Sequence, residues 1–382
     1  MIAPPPMMVA ARRPLRVAHV VLGLEVGGLE KLVIDLVRRA DRQVVLPEIV
    51  CTDYVGRLAT LCPPEAPVSA VGARPGLDWR AVMRLARTFW RSGTDIIHSH
   101  NERAHYLSTF AGRLVRVPVH INTRHGIHPP TTRRGTVRRR TMAMLSDAVV
   151  AVSSAVRDAT VQLDRIPPAK VRIIANGTDV AAARLTRSEA RQKLGLCDAS
   201  FVIGAAGRLA PEKDYASLIE AFARVRTEIV QVAAAILGDG PLAGELAEAA
   251  RARGCEELRF YGYRPDAVSL LPAFDVFVQP SLTEGISLSV IEAMAAGLPV
   301  LATSVGGLAE AIGDEGAGIL VPPRDVGALA GALVSLARDA PRRARLGDAA
   351  RRRAERCFSI DVTARAYEAL YLEQARSRGL NV

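Results

Sequence analysis

Glu284 and Glu292 stand eight positions apart in segment 280–300, PSLTEGISLSVIEAMAAGLPV. A carboxylate only accepts hydrogen bonds, so it suits a polyol. Glu284 falls in a turn and could hold the hydroxyls of a sugar ring; Glu292 lies further along a helix and could hold a ribose diol. Between them the helix start, from Gly285 through Ile286, Ser287 and Leu288, offers free N–H groups and a positive dipole end, both favourable to phosphate. Two acidic side chains beside a diphosphate are tolerable only where each meets hydroxyl donors. The stretch is therefore suited to a nucleotide sugar, although glutamates at this spacing are common and the pair alone would equally describe two solvent-facing residues.

Cations follow a different strand. In segment 207–214, GRLAPEKD, Arg208 offers a planar fork for phosphate oxygens and Lys213 a point charge beside it. Segment 23–30, GLEVGGLE, is a glycine-rich turn that opens a helix, and Gly28 would let the backbone approach phosphate closely. It is not GxGxxG, so the dinucleotide fingerprint is absent. His125 stands at a strand end before Gly126 in VHINTRHG (119–126), and His98 and His100 in DIIHSH (95–100) share one face of a strand. A zinc site would need further ligands that no neighbouring Cys or Glu pattern supplies, so no metal is expected. Arg133, Arg134, Arg138, Arg139 and Arg140 form a basic run. It reads either as a solvated helix face or as a surface for anionic lipid or a polyprenyl diphosphate, worth ~1 kcal/mol per side chain near an acidic membrane. Nucleic acid is not expected, because the run lacks aromatic residues for base stacking.

Set in PSLTEG…EAMAAGLPVLATSVGG, the glutamate pair resembles the Glu-x7-Glu signature of retaining GT-B glycosyltransferases, in particular family 4. The resemblance extends to GRLAPEK, to GDGP at 238–241, to NGTD at 176–179, to the His125 turn and, more loosely, to GGLE. It implies two Rossmann-like domains facing across a cleft and transfer of a sugar from a UDP-sugar or GDP-mannose to a hydroxyl of a glycan or polyprenyl-linked acceptor in surface polysaccharide biosynthesis. Arg208 and Lys213 would bind the diphosphate, His125 would approach the transferred sugar, and Gly28 would lie against the diphosphate or the acceptor. Tyr261 or Tyr263 could stack on the base or simply pack in the core. The chain has no Asp-x-Asp, which agrees with a metal-independent reaction needing no cofactor beyond its co-substrate. A nucleotide-sugar epimerase on the same scaffold, or a non-catalytic nucleotide-binding protein, are the alternatives that a product assay separates.

These residues need strands to end beside them and helices to start there. Apolar runs at 15–22, 44–51, 95–100, 119–126, 147–152, 200–206, 233–237, 258–263, 275–279 and 300–302 alternate with helical stretches, as in α/β proteins with parallel sheets. At 382 residues, 49% of them hydrophobic, two domains are expected. We assign 1–180 to an acceptor-binding domain, 181–358 to a nucleotide-sugar-binding domain joined through a polar linker near 181–189, and 359–382 to a helix that returns to the first domain. The net charge of +11 is uneven: residues 1–190 hold 28 Lys and Arg against 15 Asp and Glu. The five cysteines form no CxxC and read as buried thiols of a reducing compartment. No apolar run nears the ~18–20 residues that span a bilayer, and prolines break the first fourteen residues. A cytoplasmic protein peripheral to the inner face of the plasma membrane is the expectation.

Overall fold

The computed structural model describes residues 13–127, 132–313 and 316–382. The strands are β1 (Leu15–Val21), β2 (Val45–Cys51), β3 (Val68–Ala70), β4 (Ile96–Ser99), β5 (Val119–Arg124), β6 (Ala148–Ala151), β7 (Val171–Ile173), β8 (Phe201–Ala206), β9 (Val232–Leu237), β10 (Leu258–Phe260), β11 (Val276–Gln279), β12 (Val300–Thr303) and β13 (Gly318–Val321). They form a seven-stranded sheet ordered β3-β2-β1-β4-β5-β6-β7 and a six-stranded sheet ordered β10-β9-β8-β11-β12-β13. Every pairing within them is parallel. Helices cover both faces of such sheets, so the central strands bury every side chain and read as continuous apolar runs.

In each sheet the order reverses once, between β1 and β4 and between β8 and β11. A crevice opens beyond the carboxyl ends of the strands at such a switch point. The turn carrying Glu284 follows β11, and the turn carrying Gly28 follows β1. Sheet topology thus brings both to the cleft between the sheets.

The last helix, Ile360–Ser377, leaves the second sheet and packs Ile360, Tyr367, Leu370 and Tyr371 into one core with Leu15, Val17, Ile96 and Val119. Ile360 N–H donates to Thr178 O at 2.8 Å, which ties the crossing point down. The segment expected as a linker is more ordered than its composition suggests. Thr186 and Glu189 cap each other's backbone at the start of helix Arg187–Leu194. Arg191 on that helix is fully buried, pairs with Asp275 at 2.8 Å and donates to the carbonyls of Ala273, Cys197, Asp198 and Ser200. A buried guanidinium is tolerable only when each donor is used this way, and the clamp fixes the base of β11. Of the cysteines, Cys51 and Cys255 are buried but Cys197 is exposed, which corrects the expectation of five buried thiols. No helix among the described residues is long and apolar enough to cross a membrane.

Candidate active site

The turn after β11 is held by its own polar side chains. Glu284 Oε1 accepts from Ser281 Oγ at 2.9 Å, from Gln279 Nε2 at 3.1 Å, and from Lys213 Nζ in an ion pair. Lys213 arrives from the loop after β8, which is tied to this turn by Leu282 N–H donating to Glu212 O at 2.8 Å. The side chains of Lys213 and Glu284 are 17% and 11% exposed, so the pair is shielded from bulk solvent. Arg208, by contrast, is 68% exposed and pairs with Glu212 at 2.5 Å, four residues along. Its charge nonetheless acts on Glu30, which belongs to the glycine-rich turn of the first half. Burial raises the Glu30 carboxyl above its ordinary range, and Arg208 pulls it back.

The helix after the turn, Leu288–Ala295, begins at Ser287, whose hydroxyl makes no capping bond to it and meets Ser289 Oγ at 2.9 Å instead. Its first amides are thus left to other acceptors. Glu292, one turn further on, pairs with Lys31 of helix Gly28–Arg39 across the cleft. Gly28 lies against Leu288, which joins the cores of both halves. Asn176 Nδ2 donates to Ile286 O at 3.3 Å, and Ser154 N–H donates to Glu310 Oε2 at 2.7 Å. These contacts hold the two halves together over the cleft.

Gly285 is where they meet most closely. A Cβ there would collide with the His125 carbonyl and lie 3.0 Å from Val152 Cγ2. Behind the turn, Gly306 adopts φ +52° with its Cα against the Glu284 carbonyl, a conformation and an approach that glycine permits. The backbone of His125 therefore sits opposite the Glu284–Leu288 turn.

The histidines are more connected than their spacing implied. His19 on β1 pairs in register with His98 on β4 and joins His98 and His100 in a buried group whose nitrogens lie within 4.8 Å of one another. Three imidazoles so placed raise the zinc question again. Both nitrogens of His98 are taken up, Nδ1 by Tyr371 OH at 2.6 Å and Nε2 by Thr123 Oγ1 at 2.7 Å, and its ring lies over that of His100 at 4.1 Å. A metal at this group would have to displace His98 from Tyr371 or from Thr123. His19 Nδ1 instead meets His100 Nε2 at 3.1 Å, and His100 Nδ1 meets His125 Nε2 at 3.2 Å.

Burial disfavours the charged form of these rings. His19, His120 and His125 are lowered to about 4, and His98, His100 and His105 well below the ordinary value of 6.5. The folded rings stay neutral where unfolded ones protonate, so the unfolded chain binds more protons between 6.5 and about 4. Stability is complete above that window and falls as pH drops through it. The unfolding midpoint should fall by roughly 10 °C between pH 7.5 and pH 5; a flat midpoint over that range would show that the rings protonate freely when folded.

The other candidates divide. Tyr261 OH donates to Leu194 O at 2.6 Å and is fastened to its own half, whereas Tyr263 is 42% exposed. In the basic run, helix Arg133–Leu145 spends Arg138 on Glu102 at 2.7 Å and on the Tyr106 ring. Arg139 is buried against Asp164 at 2.9 Å. Arg134 and Arg140 remain on the surface; the side chain of Arg133 lies outside the described residues, as does His128.

The family model for glycosyl transferases group 1 matches residues 186–353, and that for glycosyltransferase family 4 matches residues 26–182. The glycogen synthase of Mycobacterium tuberculosis is 30% identical over 314 residues, 78% of this chain and 73% of that one. The chain belongs to the group 1 glycosyl transferases. The UDP-Gal:alpha-D-GlcNAc-diphosphoundecaprenol alpha-1,3-galactosyltransferase of Escherichia coli is 28% identical over 275 residues, 69% of this chain and 71% of that one. Anabaena Alr3699/HepE, solved in complex with UDP and glucose, superposes with a TM-score of 0.82 at 23% identity, over 94% of this chain and 99% of that one. That likeness shows the GT-B fold. The chain is a glycosyltransferase.

Proposed function

We propose that this glycosyltransferase is retaining and metal-independent, and that it moves a hexosyl group from a nucleotide sugar, a UDP-sugar or GDP-mannose, to a hydroxyl of a glycan or polyprenyl-linked acceptor in surface polysaccharide synthesis. The observation that carries it is the Glu284–Lys213 pair at an uncapped helix start, facing His125 across a closed cleft. UDP in the Anabaena structure and the lipid-linked substrate named for the Escherichia coli relative favour this reading.

The anomeric C–O bond breaks and its electron pair leaves with the diphosphate. Lys213, Arg208 and the amides of Ile286, Ser287 and Leu288 stabilise that charge without rearranging, which is usually the largest contribution to catalysis. The acceptor oxygen attacks from the face the diphosphate leaves, and its proton passes to a departing phosphate oxygen. Glu284 holds sugar hydroxyls and Glu292 the ribose. Each carboxylate is ion-paired through Oε1 in the structure, Glu284 with Lys213 and Glu292 with Lys31, so donor hydroxyls are accepted at Oε2 while the pairs stay in place. Closure over the cleft keeps water from hydrolysing the donor. A screen of nucleotide sugars by thermal shift and donor hydrolysis tests the reading. Nucleotide binding without turnover of any donor, or release of an epimerised sugar, would overturn it.

The acceptor class calls for a membrane-facing surface. Helix Trp79–Ser92 exposes Trp79, Met83 and Trp90 along one flank, at 57%, 60% and 73%, with Arg80, Arg87 and Arg91 exposed beside them. Indole rings and cations so arranged suit an anionic bilayer interface. Flotation with anionic phospholipid vesicles should fall severalfold in a Trp79→Ala/Trp90→Ala variant. Loss in an Arg134→Ala/Arg140→Ala variant instead would return the contact to the basic run.

A further inference from the structure

His125 is linked through His100 to His19 by ring-to-ring hydrogen bonds, and the side chain of Asn176 also acts on it. Asn176 is 6% exposed and lies beside the His125 ring. Its Nδ2 is used on Ile286 O, and its Oδ1 is buried with no hydrogen-bond partner among the described residues. A buried carbonyl oxygen requires a donor. With His125 Nε2 facing His100, the remaining ring nitrogen, Nδ1, is the one that can supply it.

We propose that His100 and His19 are positioning residues that hold His125 as the tautomer protonated at Nδ1, so that the imidazole presents an N–H donor beside the Gly285–Ile286 turn. The direction of every bond then follows from the first. An Nδ1–H on His125 leaves its Nε2 as an acceptor, which takes the proton of His100 Nδ1 at 3.2 Å. His100 Nε2 is then an acceptor for His19 Nδ1–H at 3.1 Å. Three neutral rings carry three ring protons, and each bond has one donor and one acceptor. Burial keeps the rings uncharged, so no ring in the row is forced to donate at both nitrogens. His98 stands outside the row, held by Tyr371 and Thr123.

The consequence for transfer rests on the function proposed above: His125 can hand its N–H from Asn176 to an oxygen of the bound sugar and cannot serve as a base at that atom. The tautomer does not rest on it. It is read from ¹H–¹⁵N correlations of the histidine rings in the full chain, with His125 assigned by its loss in His125→Asn. Wild type should show the Nδ1–H pattern at His125. His100→Phe, which can neither accept nor donate, should give a mixture of tautomers and lower kcat about tenfold with donor KM changed less than twofold. His100→Gln should restore the wild-type pattern and most of kcat, because one amide can accept from His19 and donate to His125. If His100→Phe does not fold, His19→Leu, which removes the proton at the head of the row, takes its place. An Nε2–H pattern in wild type, or an unaltered Nδ1–H pattern in His100→Phe or its substitute, would overturn the proposal. Absence of transfer from every donor would overturn the function reading while leaving the tautomer standing.

Discussion

Lys213→Ala is expected to lower the rate of sugar transfer about 100- to 1,000-fold, the cost of losing one pre-placed donor to a developing anion. Lys213 is fixed before any charge develops, because Glu284 and the loop after β8 hold its ammonium in a shielded position. An ammonium that had to be recruited from solvent would spend part of its interaction energy on ordering its own side chain. The variant also strands the Glu284 carboxylate, 11% exposed, with only the neutral donors Ser281 and Gln279. A shielded carboxylate left without its cation is costly, and the turn that carries it loses the bond that fixes Glu284 for sugar hydroxyls. Glu284→Gln should therefore be damaging by itself, and the double variant Lys213→Ala/Glu284→Gln should lose little more than the worse single one, since the two residues act as a unit. Arg208→Ala should cost about tenfold: its side chain is 68% exposed and its field on the cleft is screened. Initial rates with the donor found by the nucleotide-sugar screen check the series. Normal turnover in Lys213→Ala would remove the diphosphate from this loop.

The strands that carry the site were legible because a fully buried parallel strand is an apolar run with a hard stop. Pro280 ends the run at 275–279, and the run at 119–124 gives way to His125-Gly126. The turn residues were legible because Gly285, Arg208, Lys213 and Glu284 must be near one another in sequence or at strand ends to act together. What the chain order hides is lateral. His19 stands opposite His98 because β1 pairs with β4 across a crossover, and no spacing along the sequence encodes that neighbour. Lys31 meets Glu292 over the cleft for the same reason. Composition misled in two places. Segment 181–189 is polar, yet Thr186 and Glu189 are a capping box that was readable as a helix start. The arginines at 133–140 look alike in sequence, yet the helix turns Arg139 inward to Asp164 and Arg138 onto Glu102. The short edge strand β3 carries too little apolar pattern to stand out, and β13 is hidden because Gly316 and Gly318 at its start read as a turn.

Gly285→Ala is expected to abolish most transfer, by about 100-fold or more, while leaving each half folded. The added methyl would occupy the place of the His125 carbonyl and press on Val152, both in the opposite half. Neither can yield cheaply: His125 O is backbone at the end of β5, and Val152 is buried in the core behind it. On the other side the Gly285 carbonyl already lies against Gly307, so the turn cannot retreat. The remaining escape is to part the halves, which stretches the Asn176–Ile286 and Ser154–Glu310 bonds and the Gly28–Leu288 contact. Misplacement of about 1 Å between reacting groups costs on the order of 100-fold, and an open cleft admits water to the donor. The cores are built almost wholly within each half, so the thermal midpoint should move by only a few degrees. Donor affinity should fall far less than turnover, because Lys213, Glu284 and the helix start all belong to the second half. Binding of the nucleotide alone, transfer rate and the radius of gyration by X-ray scattering separate these effects. Wild-type turnover in Gly285→Ala would mean that the contact between Gly285 and His125 is not part of the reactive arrangement, and the assignment of His125 to the transferred sugar would fall with it.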